Sequence, residues 1–168
     1  MNSMRTVQIE KVTVNMGVGQ TGEELEKAIT ILEKITGAKP VKTESQVRQP
    51  TWGLRPGLTI GAKVTMRKVK AEEFLKNALQ AKDNTILEKS FDNNGNFGFG
   101  IREYIDLPKT KYDPKLGIRG FDVLVSLQRP GFRVKRRKLK KTRIPHKHKI
   151  TKDEAIEFVK NKFGVVVK

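Results

Sequence analysis

Residues Arg129 to Lys149, RPGFRVKRRKLKKTRIPHKHK, hold eleven Lys or Arg, two His and no acid. No apolar core accepts such a run, so the residues on either side of it must build the fold and leave it at the surface. The chain has 35 basic and 18 acidic residues, a net charge of +17. Outside the run 24 basic residues face the same 18 acids. One segment therefore supplies most of the charge, and the rest reads as a scaffold that presents it. Like charges at this density repel, which predicts a segment that is extended or disordered in isolation. Extended, it reaches about 70 Å at roughly 3.3 to 3.6 Å per residue. The fitting partner is a nucleic acid, whose regular phosphates release counterions when neutralised. Phe132, Val134, Leu139 and Ile144 interrupt the charges. Phe132 either stacks on a base, or this apolar set tucks against the protein. Pro130, Gly131 and Pro145 argue against an amphipathic membrane helix here.

At 168 residues with 36% hydrophobic content, the chain suits one domain, residues 1–168, with one core. Within it, 129–149 is the basic arm and 150–168 a C-terminal helix and tail. The absence of Cys excludes disulfides, a thiol nucleophile and a zinc finger. His146-Lys147-His148 is a poor metal site because its flanking charges repel a cation, and no metal is expected. No apolar run approaches the ~20 residues of a membrane helix. The start, MNSMRTVQIEK, lacks the apolar centre of a signal peptide, so the expected location is cytoplasmic.

Val7 to Met16 predicts a strand, with Val12, Val14 and Met16 alternating with Lys11, Thr13 and Asn15. Gly17-Val18-Gly19-Gln20-Thr21-Gly22 then matches GxGxxG formally, the dinucleotide fingerprint. That fold begins on a strand buried on both faces, whereas this strand alternates, and no run of parallel βα units follows. The glycines are read as a tight turn. A phosphate at the next helix start stays open. Thr21 with Glu24 fits a capping box for that helix. Leu25, Ala28, Ile29, Leu32 and Ile35 form its apolar face, and Gly37 its stop. Lys39 to Glu44 is a short polar strand. QVRQPTWGLRP, residues 46–56, is a loop with Trp52 at its tip, either packed locally or held for a partner. Arg48 and Arg55 there suit phosphates. Leu58 to Arg67 is a strand with Leu58, Ile60, Ala62, Val64 and Met66 on one face. Thr59, Lys63, Thr65 and Arg67 lie on the other. The two long strands thus carry Lys, Thr, Asn and Arg away from the helices, either as an RNA-binding face or as a solvated one.

Val69 to about Ile86 predicts a second helix with Ala71, Phe74, Leu75, Ala78 and Leu79 as its stripe. Asp92-Asn93-Asn94-Gly95-Asn96 is a turn. Phe97, Phe99 and Ile101 alternate in a strand. Gly-Phe-Gly-Phe hints at an RNA-recognition motif, but the basic residue and third aromatic are missing, so it reads as core. Asp106 to Gly117 is a loop. Phe121, Val123, Val125 and Leu127 form the last strand, the arm follows, and Thr151 with Glu154 caps a final helix ended by Gly164. Ala155, Ile156, Val159 and Phe163 face inward. This order predicts an α+β fold: an antiparallel-rich sheet with helices packed on one face, split βαβ-like, plus a long basic arm. No catalytic constellation appears. His146 and His148 lack an orienting carboxylate, and Asp92, Glu103, Asp106 and Asp113 are scattered through turns. Neither an enzyme nor a cofactor is expected.

KVTVNMGVGQ, ITGAKPVKTES, GLTIGAKVTMR, SFDNNGNFGFGIREY and GIRGFDVLV, in that order, resemble the universal large-subunit ribosomal protein five family. The arm and final helix resemble its archaeal and eukaryotic branch, and the organisation suggests an archaeon. The resemblance implies binding of 5S rRNA and its attachment to large-subunit rRNA in the central protuberance. It also implies contacts with P-site tRNA, the small-subunit head and neighbouring protuberance proteins, within the ribosome. It implies that Asn15 and Thr65 contact 5S rRNA, and Lys11, Thr13, Gly17, Thr43, Lys63 and Arg67 are candidates beside them. Arg48, Gln49, Trp52 and Arg55 fall in the tRNA-facing loop. Arg133, Lys135, Arg136, Arg137, Lys138, Lys140, Lys141, Arg143, Lys147 and Lys149 would meet rRNA phosphates. Where the family commonly has an RNA-contacting Gln, this chain has Ala38, whose side chain offers no hydrogen bond.

Overall fold

A computed structural model describes residues 2–108 and 110–168. The elements run β1 (Gln8–Gly17), α1 (Glu23–Thr36), β2 (Val41–Glu44), β3 (Thr59–Met66), α2 (Lys68–Gln80), β4 (Thr85–Ile86) and β5 (Phe97–Ile101). Then follow β6 (Phe121–Gln128), α3 (Arg133–Arg136), α4 (Lys152–Phe163) and β7 (Val166–Val167). The main sheet has the mostly antiparallel order β2-β3-β1-β6-β5, and β4 pairs with β7 in parallel. The predicted α+β class holds.

The chain divides into two compact units. The first comprises Met1–Val12, Arg67–Phe99 and Leu124–Lys168. In α2 the five predicted stripe residues, Ala71, Phe74, Leu75, Ala78 and Leu79, are all buried. Each buried Leu or Phe stabilises by roughly 1.5–3 kcal/mol. The helix stops at Gln80, short of the predicted Ile86. Asp83 and Asn84 turn the chain at positive φ, and Ile86 enters β4 instead. A run of apolar residues after a helical stripe does not itself signal a two-residue strand, because its partner, Val166–Val167, lies at the other end of the chain. Phe91 and Phe97 pack with ring centroids 4.9 Å apart. In α4, Thr151 and Glu154 form the predicted capping box: the Thr151 N–H donates to Glu154 Oε2 at 3.0 Å, and the Glu154 N–H to Thr151 Oγ1 at 3.4 Å. Ala155 and Val159 are buried, while Ile156 and Phe163 are half-buried.

The second unit comprises Thr13–Met66 and Gly100–Val123. Helix α1 packs on β3. Leu25, Ala28, Ile31 and Leu32 are buried; Ile29 and Ile35, expected inside, are half-buried. The capping box expected at Thr21 is absent. Gly22 is the N-cap, and its carbonyl receives the Leu25 and Glu26 N–H groups. Gly22 has φ 102°, a conformation closed to Thr without strain, so the turn ends one residue later than the side-chain pattern suggests. Gly37 and Gly164 end α1 and α4 in the left-handed conformation, as their positions predict.

Candidate nucleic-acid interface

Alternation in β1 buries Val12, Val14 and Met16 and turns Thr13, Asn15 and Gly17 outward. Lys11 of the first unit is half-buried on the same alternation. In β3 the inward residues are Ala62, Val64 and Met66, so Lys63 and Thr65 are exposed on the outer side. β2 pairs antiparallel with β3 in the register Val41↔Lys63 and Thr43↔Gly61, which brings Thr43 to the same outer side. Gly61 is what lets these strands close. A Cβ there would lie 2.8 Å from the Met16 carbonyl oxygen and 2.9 Å from Thr43 Oγ1. The second unit thus assembles Thr13, Asn15, Thr43, Lys63 and Thr65 into one patch of hydroxyl, amide and ammonium groups. Arg67 does not continue the β3 face as the alternation predicts. The strand ends at Met66, and Arg67 becomes the N-cap of α2 in the first unit, because the chain turns into a helix there.

The GxGxxG turn does not cradle a phosphate. The Val18 and Gly19 N–H groups both donate to the Ile60 carbonyl at 2.9 Å. The first turn of α1 carries Glu23, Glu24 and Glu26, which repel an anion from the helix start.

Loop 46–56 is pinned at its base and open at its tip. Ser45 N–H donates to the Leu58 carbonyl at 2.8 Å, Ser45 Oγ to the Val47 carbonyl at 2.9 Å, and Gln49 bridges to Leu54. Pro50–Trp52 form a 3-10 turn, and Trp52 is 72% exposed. Of the two readings of Trp52, local packing is overturned. Arg48, Gln49 and Arg55 are exposed beside it.

The basic run departs most from expectation. It is a loop whose two ends are tied together. Arg129 is only 4% exposed; its Nη2 donates to Glu154 Oε1 at 2.6 Å and its Nη1 to the Lys149 carbonyl at 3.2 Å. His148 Nε2 donates to the Pro130 carbonyl at 2.9 Å, and the ring meets Phe132 edge-on at 5.8 Å. Phe132 is half-buried, so it tucks against the protein. Arg136 pairs with Glu10 at 2.5 Å and also donates to Gln128. Arg137 donates to the Lys140 carbonyl. Like-charge repulsion predicts disorder only if the counter-acids are far away; here Glu10 and Glu154 come from outside the run. Arg133, Lys135, Arg136, Arg137, Lys138, Lys140, Lys141, Arg143, Lys147 and Lys149 are all exposed.

Burial alone would raise the Glu154 carboxyl, but the Thr151 N–H, the Arg129 guanidinium and the Thr151 hydroxyl outweigh it and hold the pKa below the ordinary value of 4.5. Arg129 and Glu154 are the structural residues that charge counting overlooks. A signal existed: Phe121, Val123, Val125 and Leu127 point inward, and the same period places Arg129 inside. Among the described residues no group of three His, Cys, Asp or Glu is arranged to hold a metal ion. No helix there is long and apolar enough to cross a membrane.

Fold and surface together define an α+β protein whose accessible chemistry is hydroxyls, amides and cations on a sheet face and on a tied basic loop. Residues 2–55 match the family model for ribosomal protein L5, and residues 59–161 match the model for the C-terminus of the same ribosomal family. The chain is 48% identical to the large ribosomal subunit protein uL5 of Sulfolobus acidocaldarius, over 99% of this chain and 93% of that one. It is 48% identical to the Methanococcus maripaludis uL5 over 98% and 92% of the two chains, and to the Nanoarchaeum equitans uL5 over 98% and 97%. The chain belongs to the ribosomal protein L5 family, a structural and non-enzymatic family of the large subunit.

Proposed function

We propose that this chain binds 5S rRNA and helps attach it to large-subunit rRNA in the central protuberance. The observation that carries this reading is the outer patch of the second unit, where Thr13 and Asn15 of β1 share a side with Thr43, Lys63 and Thr65 of β2 and β3. Short hydroxyl and amide side chains on rigid strands suit backbone and 2′-hydroxyl groups of a folded RNA, which is read by shape. The tied loop supplies phosphate neutralisation without sequence information. In this division the patch sets where the protein sits and the loop sets how tightly. In the same reading the exposed tip around Trp52, with Arg48 and Arg55, meets P-site tRNA; what supports it is that an aromatic and two guanidiniums suit a base and its phosphates. Contacts with the small-subunit head and neighbouring proteins belong to the same proposal. No catalytic step is involved.

The test is a mobility titration of the full chain against 5S rRNA, with an unrelated folded RNA of equal length as competitor. At about 0.3 M salt, phosphate-only binding is suppressed. Tight binding that the competitor does not displace is expected. Equal competition would reduce the protein to a non-specific cation and remove the site assignments.

A further inference from the structure

We propose that a cleft in the first unit, at the base of the basic loop, is a discrete seat for a phosphate group. It has a volume of 730 Å³, within the roughly 300–1,000 Å³ of small-ligand sites. Arg67, Lys68, Arg129, Arg133, Arg136 and Lys162 line it, against the acids Glu10 and Glu72. Both acids are already engaged. Glu10 pairs with Arg136 at 2.5 Å and lies 3.9 Å from Arg67, and Glu72 pairs with Lys162 at 2.6 Å. Among the described residues, Lys68 and Arg133 have no ion-pair partner, and both are exposed into solvent at the cleft.

Two further observations point to an anion. Arg129, though it lines the cleft, is not one of them: its guanidinium is held by Glu154 and the Lys149 carbonyl, and its Nε–H is closed off from solvent. The start of α2 opens here: Arg67 provides no side-chain cap, and the first turn has no acid, so the positive end of a thirteen-residue helix is unopposed. Finally, Lys68 holds the left-handed conformation at φ 57°, an uncommon choice for a residue with a side chain. The diffuse charge of the loop tip requires none of these features. As a seat for an RNA backbone phosphate, the cleft rests on the RNA-binding reading above. A free phosphate-bearing molecule offers the same chemistry.

The experiment is calorimetric titration of the full chain at about 0.15 M ionic strength. One arm uses sodium pyrophosphate, the other hexauridylate without terminal phosphates. The cleft variant is Lys68→Gln with Arg133→Gln; its charge-matched control is Lys76→Gln with Lys82→Gln, exposed residues of the same unit outside the cleft. Single-site binding is expected, weakened at least tenfold in the cleft variant and less than twofold in the control. Cleft-dependent pyrophosphate binding supports a seat open to free phosphates. Cleft-dependence for hexauridylate alone supports a seat for phosphodiesters within a chain. If neither ligand binds, or both double variants weaken binding equally, the seat is overturned. Arg133→Gln alone serves as the second variant, since an exposed, unpaired side chain is not needed for folding. Measuring 5S rRNA competition on the same proteins separates the two ideas. Intact specificity with no cleft effect removes only the seat, whereas a wild-type protein without specificity removes the RNA reading itself.

Discussion

The outer patch of the second unit and the basic loop of the first solve different problems with different chemistry. The patch carries few charges on stiff strands, and its side chains take their positions from pleat and register. The loop carries many charges and needs counter-acids from elsewhere to hold a shape at all. Glu154, reached through Arg129, and Glu10, reached through Arg136, perform that task. The comparison teaches that a run of cations is not one functional class. Arg129 is architecture, Arg136 is shared between architecture and surface, and Lys138, Lys140, Lys141 and Arg143 are exposed with no ion pair among the described residues.

The largest effect that sharpens this contrast comes from neutralising Lys138, Lys140, Lys141, Arg143 and Lys147 to Gln. The salt slope of RNA binding is expected to fall by about four, with affinity near 0.1 M salt lower by roughly three orders of magnitude. Unchanged slope in a filter-binding series would break the assignment of the loop to phosphates. Next, Gly61→Val should destabilise the second unit by about 2–3 kcal/mol, because its side chain meets the Met16 carbonyl and Thr43 Oγ1. A denaturant midpoint equal to wild type would show that these strands can part without cost.

Glu154→Gln leaves a buried Arg129 without its counter-charge. Breaking a fully buried pair costs roughly 3–5 kcal/mol, but the Glu154 side chain is 42% exposed, so about 2 kcal/mol is expected. The pH dependence has a definite sign. The native carboxyl sits below its ordinary value of 4.5, so its contribution is full above that value and disappears as the pH falls through the lower native value. Melting curves between neutral pH and about pH 3 should show wild type losing its advantage over the variant only on the acid side.

Asn15→Ala should weaken 5S rRNA binding about tenfold, the scale of one or two lost hydrogen bonds, with the salt slope unchanged. A changed slope with unchanged high-salt affinity would merge patch and loop into one electrostatic surface. The smallest effect is Trp52→Ala, within about 0.5 kcal/mol of wild-type stability because the ring is exposed. A larger loss of melting temperature would mean that Trp52 packs after all.

Much of this was legible in the chain itself. The alternation in β1, β3, β5 and β6 and the stripe of α2 announce themselves, because a half-buried strand or helix must repeat its apolar residues at the period of its backbone. The polar outer patch followed from the same alternation. Thr151 and Glu154 do cap α4 as their spacing suggests, but the same spacing at Thr21 and Glu24 does not cap α1, so the motif alone does not decide a helix start. Where the interaction is between residues distant in sequence, only the tertiary structure decided. No local pattern pairs Ile86 with Val167 or brings Glu10 to Arg136. The same holds for the basic run. Its charges were plain, but whether they repel into disorder or fold depends on acids placed nearby by the rest of the chain, because electrostatic energy is set by distance in space and burial, not by separation in sequence.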